Sequence, residues 1–272
     1  MLKIKNYVKV KSIAEAYELN QKKTASVLGG MVWLKMGNRN ISTAIDLSGL
    51  GLDTIQEFDD EFVIGCMTSL RTLETDERLQ EYTHGAIKES LRHIVGVQFR
   101  NCATVGGSIY GRYGFSDVLT MFLAMDTWVD LYDAGRIPLS EFVNIKKNND
   151  ILVNIIIKKE SLFTCYLSQR NTKTDFPVLT CAASLIGEEA RTVIGARPGR
   201  AMIVEDTNGI MKNFKKMTRK QREQAICDFA EFAGQMVPVS GNMRGSAEYR
   251  ALLARVLTKR AWETVGGMKN EY

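Results

Sequence analysis

Two glycine pairs are the residues of this sequence best able to bring backbone amides close to a ligand. Gly29-Gly30 follows the apolar stretch Ser26-Val27-Leu28, and Gly106-Gly107 lies 77 residues further along, flanked by Thr104 and Ser108. A backbone without side-chain bulk can approach a phosphate or a neighbouring core element, so the spacing leaves a ligand-binding and a packing interpretation open. If each pair follows a strand, two facing loops could offer many N–H groups to one pyrophosphate.

The commoner nucleotide-binding motifs do not accompany these glycines. The sequence contains neither G-x-G-x-x-G nor G-x-x-x-x-G-K-[ST]. A Rossmann dehydrogenase and a P-loop ATPase are therefore disfavoured.

Side chains that could act as bases or metal ligands are few. His84 and His93 are the two histidines of the chain, which disfavours Ser-His-Asp and Cys-His hydrolase chemistry. The cysteines are widely spaced, mostly within apolar stretches, and none is arranged as C-x-x-C: Cys66, Cys102, Cys165, Cys181 and Cys227. We therefore expect free core thiols, and no zinc site or iron–sulfur cluster held by this chain alone.

The composition is that of an ordinary globular protein. Of 272 residues, 45% are hydrophobic and 25% are charged, which excludes a disordered, collagen-like or small disulfide-stabilised chain. The formal net charge of +5 is mild and the two signs are mixed, so nucleic acid is not indicated as a partner. The N-terminal residues lack an apolar signal core and no run of about 18 apolar residues occurs, so we expect no membrane span and a cytoplasmic location.

The elements that must position the glycine pairs are mixed helices and strands. Ser12 and Glu15 have the spacing of a capping box for a helix that begins at Ile13. Strands are predicted over residues 43–47 and 61–65, and a mostly helical stretch over 79–95 that ends at Gly96. A short strand flanked by small residues is expected at the second glycine pair, and Ser116-Asp117 opens a helix over 118–125.

The C-terminal half continues the mixture. We predict strands over 151–157, 163–167 and 178–185 and helices over about 219–236 and 247–262, with a domain boundary near Glu160. A basic run is most simply a solvated helix entrance and alternatively a partner surface: Lys212, Lys215, Lys216, Arg219, Lys220 and Arg222.

Several motifs, taken in order, resemble one known family. They are Val27-Leu28-Gly29-Gly30 with Trp33-Leu34, Ile45-Asp46-Leu47-Ser48, Ile64-Gly65 with Thr68-Ser69-Leu70, Arg100-Asn101 with Ala103 through Ile109, Ser116-Asp117, and Gly241-Asn242 with Arg244 through Arg250. This series resembles the FAD-binding, or medium, subunit of molybdenum hydroxylases of the xanthine dehydrogenase and carbon monoxide dehydrogenase type. The resemblance covers nearly the whole chain.

The resemblance implies a fold and a set of cofactor contacts. The expected fold is α+β, with a two-lobed FAD-binding domain of the PCMH or vanillyl-alcohol-oxidase type over residues 1–160 and a smaller α+β domain over 161–272. The first loop would wrap the FAD pyrophosphate, the second would lie by the flavin ring and ribityl chain, and two apolar side chains would pack on the cofactor, although plain core is an equal interpretation for those two. The implied residues are Val27, Leu28, Gly29, Gly30, Met31 and Val32 in the first loop; Ala103, Thr104, Gly107 and Ser108 in the second; Ser116 and Asp117 as hydrogen-bonding partners; and apolar Ile94 and Leu152.

The resemblance also implies a function. FAD would pass electrons from iron–sulfur clusters on a partner subunit, supplied by a molybdopterin site on another, to NAD, and no catalytic side chain or metal of this chain would be required. Met31, Ser108 and Leu167 depart from the family's usual threonine, asparagine and lysine, which concerns flavin tuning more than binding. Two alternatives stay open: a self-contained FAD-dependent oxidoreductase with its own organic substrate, and a non-catalytic partner-binding protein with a degenerate flavin fold.

Overall fold

The computed structural model describes residues 1–268 of the chain. The strands are β1 (Lys3–Lys9), β2 (Ala25–Leu28), β3 (Asn40–Asp46), β4 (Ile55–Glu57), β5 (Glu61–Gly65), β6 (Thr127–Leu131), β7 (Gly135–Pro138), β8 (Leu152–Lys158), β9 (Leu162–Gln169), β10 (Leu179–Ile186), β11 (Glu189–Gly195) and β12 (Met202–Ile203). The α-helices are α1 (Ile13–Asn20), α2 (Leu70–Thr75), α3 (Glu77–Tyr82), α4 (Ala86–Leu91), α5 (Val97–Cys102), α6 (Val105–Gly111), α7 (Asp117–Leu123), α8 (Leu139–Phe142), α9 (Arg219–Met236) and α10 (Ala247–Val265).

The chain forms two compact units, and each combines helices with a sheet. The first unit contains residues 1–73, 96–111 and 127–159, and the second contains residues 74–95, 112–126 and the chain from residue 160 onward. The α+β prediction is confirmed. The domain boundary near Glu160 stays a prediction.

The first compact unit begins with a small parallel sheet in the order β1-β3-β2. Helix α1 packs on β2 and β3, and its cap differs in one detail from the predicted box. The Ser12 hydroxyl accepts from the Glu15 amide at 3.1 Å as expected, but the Glu15 carboxylate accepts from the amide of Lys11 instead of Ser12.

Residues 1–48, which include this sheet, are called the N-terminal lobe. They hold eight lysines and arginines but only three acidic residues. The N-terminal lobe therefore carries +5, the same formal charge as the entire chain.

A second sheet of the first unit is antiparallel, in the order β4-β5-β8-β6-β7. Its central strand β8 buries three consecutive isoleucines, Ile155, Ile156 and Ile157, because both faces of that strand are covered. Helix α6, which contains the second glycine pair, packs on β8.

The second compact unit contains an antiparallel sheet in the order β12-β11-β10-β9. Every residue of β10 is buried, and helices α9 and α10 pack against one another beside it. The core between them includes Phe229 and Trp262, whose indole N–H donates to Thr192 Oγ1 at 2.8 Å. Helix α9 has the bounds predicted for it, because Thr218 and Gln221 form a complete capping box at its start.

Three sequence predictions about local structure have different outcomes. The stretch over 79–95 is mostly helical as predicted but contains two helices, α3 and α4, which are separated at His84 and Gly85, where the backbone is left-handed with φ of 49° and 77°. Gly96 does not end a helix; it precedes the first residue of α5. The strand expected near the second glycine pair is replaced by α5 and α6.

The five cysteines are free thiols, and Cys66, Cys165 and Cys181 are buried. Burial raises the pKa of Cys66 and of Cys181 to about 12, so both stay protonated at neutral pH. The core prediction is wrong for Cys102, which is exposed at the end of α5. Across residues 1–268, no helix combines the length and the apolar character needed to cross a bilayer.

Candidate functional site

The first glycine loop follows β2, and its backbone amides are available to a ligand. Residue Met31 has a left-handed backbone, with φ of 57°. In the part of the chain that the structure describes, the amides of residues 29–32 have no hydrogen-bond acceptor. A left-handed residue in such a loop turns successive N–H groups toward one side, which is the geometry of an anion-binding concavity. Of the residues predicted there, Val27 and Leu28 are the last two of β2.

The side chain of Met31 accounts for one departure from the family pattern. It packs against the small core of Leu28, Ile41 and Ala44. The substitution therefore adds apolar contact to the N-terminal lobe, while the Met31 amide keeps its place in the loop.

The first loop lies directly on the segment that joins α5 and α6. A Cβ atom on Gly30 would stand 1.7 Å from the carbonyl oxygen of Cys102, and a Cβ atom on Gly29 would stand 2.8 Å from Thr104 Oγ1. No side chain fits at Gly30 without displacing that segment, and one at Gly29 would have to push the Thr104 hydroxyl aside. For Gly30 the packing interpretation is therefore sufficient.

The amides of the second glycine pair are already used by the protein. Val105 donates to Thr68 O and Gly106 to Cys66 O, both at 2.9 Å, while Ser108 donates to Thr104 O at 3.1 Å. The Gly107 amide donates to Thr104 Oγ1 at 3.1 Å, as the third N–H of a capped helix does. The expectation that two loops supply N–H groups to one pyrophosphate is thus wrong for the second, because its residues begin α6 and are not a loop.

The two members of this pair differ in what surrounds them. A Cβ atom on Gly106 would stand 2.5 Å from the Cys66 carbonyl oxygen, so Gly106 is required by packing. A Cβ atom on Gly107 would meet only Thr104 Oγ1, at 3.0 Å, and otherwise open space. Gly29 approaches the same place from the other side, since its Cβ atom would lie 3.7 Å from the Gly107 Cα. Gly29 and Gly107 therefore nearly touch, and the open space lies on the Cβ side of Gly107.

Three other predicted residues of this unit have internal contacts. Ala103 is buried and its carbonyl oxygen accepts from the Leu70 amide at 2.8 Å. The Ser108 hydroxyl donates to Thr104 O at 3.0 Å. Leu152 is buried at the start of β8, opposite Leu131 of β6, where plain core packing explains it.

The remaining predicted residues, Ile94, Ser116 and Asp117, belong to the second compact unit. Ser116 caps α7, its hydroxyl accepting from the Leu119 amide at 3.1 Å. The buried Asp117 carboxylate accepts hydrogen bonds from the Tyr166 hydroxyl and the Arg170 guanidinium. Their proposed contacts with a cofactor stay a prediction.

Burial sets the electrostatics of this group. Loss of hydration raises the pKa of Asp117 to about 6, and the Arg170 charge acts in the opposite direction, so the carboxylate is ionised and paired at pH 7. Burial and the Asp117 charge together raise the pKa of Tyr166 well above its ordinary value, so Tyr166 acts as a donor. Sequence reasoning missed both partners, which lie about 50 residues from Asp117 and belong to no motif. Leu167, the third departure, packs against the core of this unit.

Neither histidine is arranged as a general base. His84 Nε2 lies 3.1 Å from the Leu162 carbonyl oxygen, and its ring stacks on Phe163. His93 Nε2 accepts from the Arg92 guanidinium at 3.1 Å, and burial and the Arg92 charge lower its pKa. Among residues 1–268, no group of three or more His, Cys, Asp or Glu side chains could hold a metal ion.

Two family descriptions match the chain in succession. Residues 2–159 match the FAD binding domain in molybdopterin dehydrogenase, and residues 165–265 match the CO dehydrogenase flavoprotein C-terminal domain. The uncharacterized protein YgfM of Escherichia coli strain K12 is 23% identical over 264 residues, which cover 93% of each chain.

Two solved structures share the fold of this chain at low sequence identity. A chain of carbon monoxide dehydrogenase from Hydrogenophaga pseudoflava, which lacks the Mo-pyranopterin moiety, aligns with a TM-score of 0.83 at 21% identity over 97% of this chain and 98% of its own. A chain of quinoline 2-oxidoreductase from Pseudomonas putida 86 aligns with a TM-score of 0.80 at 19% identity over 98% of each chain.

Proposed function

Because the chain belongs to the family of FAD-binding subunits of molybdenum hydroxylases, we propose that it transfers electrons through bound FAD from iron–sulfur clusters of a partner subunit to NAD. A molybdenum-binding subunit with molybdopterin would oxidise the organic substrate. A xanthine dehydrogenase-like division of labour is the proposed form of the complex.

The open amides of residues 29–32 carry this proposal. Within residues 1–268 these four consecutive N–H groups have no acceptor, and with the left-handed backbone of Met31 they suit the two phosphates of a dinucleotide. FMN has one phosphate and would leave part of this loop unused. The first-loop residues proposed to hold the pyrophosphate are Val27, Leu28, Gly29, Gly30, Met31 and Val32.

The segment around α6 is proposed to form a surface beside the cofactor and not to donate N–H groups to it. Thr104 fixes the start of α6 through its bond to the Gly107 amide, and Gly107 leaves open space on its own Cβ side. Ala103 and Ser108 are proposed to border the same space. When bound, FAD supplies the redox chemistry, while these residues orient it and keep water from the covered face.

The self-contained oxidoreductase is the weaker alternative. Such an enzyme needs a base near its substrate, and the lone pair of His93 is taken by Arg92 while His84 is engaged at Leu162. No observation favours it.

We also propose NAD as the electron acceptor and the partner subunits as the source of the electrons. A flavin can pass two electrons on as a hydride, which is the form in which NAD accepts them. The five free thiols suit a reducing compartment, and we propose that the protein works in the cytoplasm.

Cofactor identity and reactivity of the purified chain test the proposal together. We expect denaturation to release FAD, and the FAD-loaded chain alone to reduce an artificial dye with NADH but to leave purines and aldehydes unchanged. Release of FMN would overturn the site. Turnover of an organic substrate by the chain alone would replace the electron-transfer proposal with the self-contained oxidoreductase.

A further inference from the structure

A buried arginine braces the loop between α9 and α10. Arg250 is only 1% exposed, and its Nε donates to Val178 O at 2.9 Å. Its terminal nitrogens donate to the carbonyl oxygens of Ser240 and Gly245 at 2.8 and 2.6 Å and to Asn242 Oδ1 at 2.7 Å. Within residues 1–268 no carboxylate pairs with Arg250. The hydrogen bonds of this guanidinium therefore hold residues 240–245 in one conformation.

A second set of contacts ties the same loop from outside. The Asn242 and Gly245 backbones bond each other in both directions, at 3.0 and 3.2 Å. Arg244 pairs with Asp175 at 3.2 Å and lies 5.0 Å over the ring of Phe176. The loop is therefore rigid before anything binds to it.

The residue at the tip of this braced loop is apolar and open to solvent. Met243 is 93% exposed although its neighbours are tied down. Three further large apolar side chains close to it in sequence are also exposed: Met236 at 57%, Tyr249 at 39% and Leu252 at 46%. Tyr249 and Leu252 are three residues apart on α10 and share one helix face. We call these four residues the apolar junction.

The segments beside the apolar junction are basic. Residues 171–176, 196–200 and 240–248 contain four lysines and arginines and two acidic residues. The Ser240 amide donates to Arg197 O at 2.9 Å, which joins the second segment to the loop. Arg197 itself bonds the carbonyl oxygens of Arg200 and Pro238, so its charge is not neutralised by those contacts. These three segments, which we call the rim of the apolar junction, therefore carry a net positive formal charge.

We propose that the apolar junction is a docking surface for another protein chain of the complex, one that offers an apolar pocket to Met243 and carboxylates around it. The inference rests on the proposed function, since it requires partner subunits. A pre-ordered apolar anchor binds without the entropic cost of ordering a loop, which increases affinity. A second copy of this chain is disfavoured as the occupant because two positive rims would face each other.

The test uses the intact complex purified from its native cells through a tag on this chain. Wild type, Met243→Asp and Met36→Asp are compared by gel filtration and subunit mass spectrometry; Met36 is a matched control, 73% exposed in the first compact unit. We expect Met243→Asp to lower the yield of partner chains about tenfold or more. FAD content and melting temperature should not change, and Met36→Asp should behave as wild type.

The outcomes separate the two proposals. Partner chains retained in full by Met243→Asp would overturn the docking surface and leave the proposed function standing. A wild-type chain that purifies with no iron–sulfur or molybdenum subunit would overturn the proposed function and the docking surface with it. A dimer of this chain that Met243→Asp dissociates would replace the heterologous partner with a second copy.

Discussion

Replacing Gly107 by alanine should separate cofactor binding from folding. Gly107 lies inside α6, where glycine costs about 0.5–1 kcal/mol relative to alanine. The new methyl group would meet only Thr104 Oγ1, at 3.0 Å, which must yield by a few tenths of an ångström. We therefore expect the stability of the apoprotein to stay within about 1 kcal/mol of wild type.

The same methyl group would enter the open space beside Gly107, where the cofactor is proposed to lie. Overfilling a packed site costs about 1–3 kcal/mol, which corresponds to a loss of FAD affinity of roughly 5- to 150-fold. The stabilisation that a ligand confers falls as its dissociation constant rises. Added FAD should accordingly raise the melting temperature of Gly107→Ala much less than that of wild type.

Gly106→Ala is the matched control one residue away. Its methyl group would lie 2.5 Å from the Cys66 carbonyl oxygen, so we expect a lower melting temperature both with and without FAD. The assays are thermal melts across an FAD titration and quenching of flavin fluorescence. If Gly107→Ala bound FAD within twofold of wild type, the space beside Gly107 would not be the cofactor site.

Three further predictions concern single side chains. Thr104→Val should lower the free energy of unfolding in urea by about 1 kcal/mol through loss of the α6 cap, while Thr104→Ser should restore it; equal values would exclude the cap. Burial raises the pKa of Asp117 from 3.8 to about 6, so between these pH values the folded state binds a proton that the unfolded state does not. The stability of wild type relative to Asp117→Asn should therefore increase as the pH falls from 6 to 4. A stability difference independent of pH would show that Asp117 does not titrate in this range. Arg250→Lys should leave several loop carbonyls without donors and cost about 2–3 kcal/mol, with increased hydrogen exchange confined to residues 240–246; unchanged exchange there would refute the brace.

Elements with local signals were predictable from the sequence. Ser116 and Thr218 accept from amides three residues on, so the starts of α7 and α9 follow from short-range chemistry. The end of β2 at Leu28 follows from the glycine pair after it. In these cases the deciding contacts lie within one helical turn.

The second glycine pair was misjudged because its deciding contacts are distant in sequence. Gly106 must be glycine because it packs against the Cys66 carbonyl, and the preceding Val105 amide donates to Thr68 O; both partners lie about 40 residues away. Those contacts allow two glycines to stand in a helix that their propensities disfavour. The pairing of Asp117 with Arg170 could not be predicted for the same reason. The first loop could be located because its glycine pair directly follows the apolar end of β2, although its contact with Cys102 could not.

The charge of the N-terminal lobe has a kinetic consequence. The loop of residues 29–32 belongs to a lobe of +5, and a dianionic dinucleotide that comes within a Debye length of about 8 Å at physiological salt is drawn toward it. Association then depends on long-range attraction, while dissociation depends on short contacts that salt screens little. Rising ionic strength should therefore slow the capture of FAD by the apoprotein far more than it hastens its escape, so that a newly made chain acquires its cofactor fastest in dilute salt.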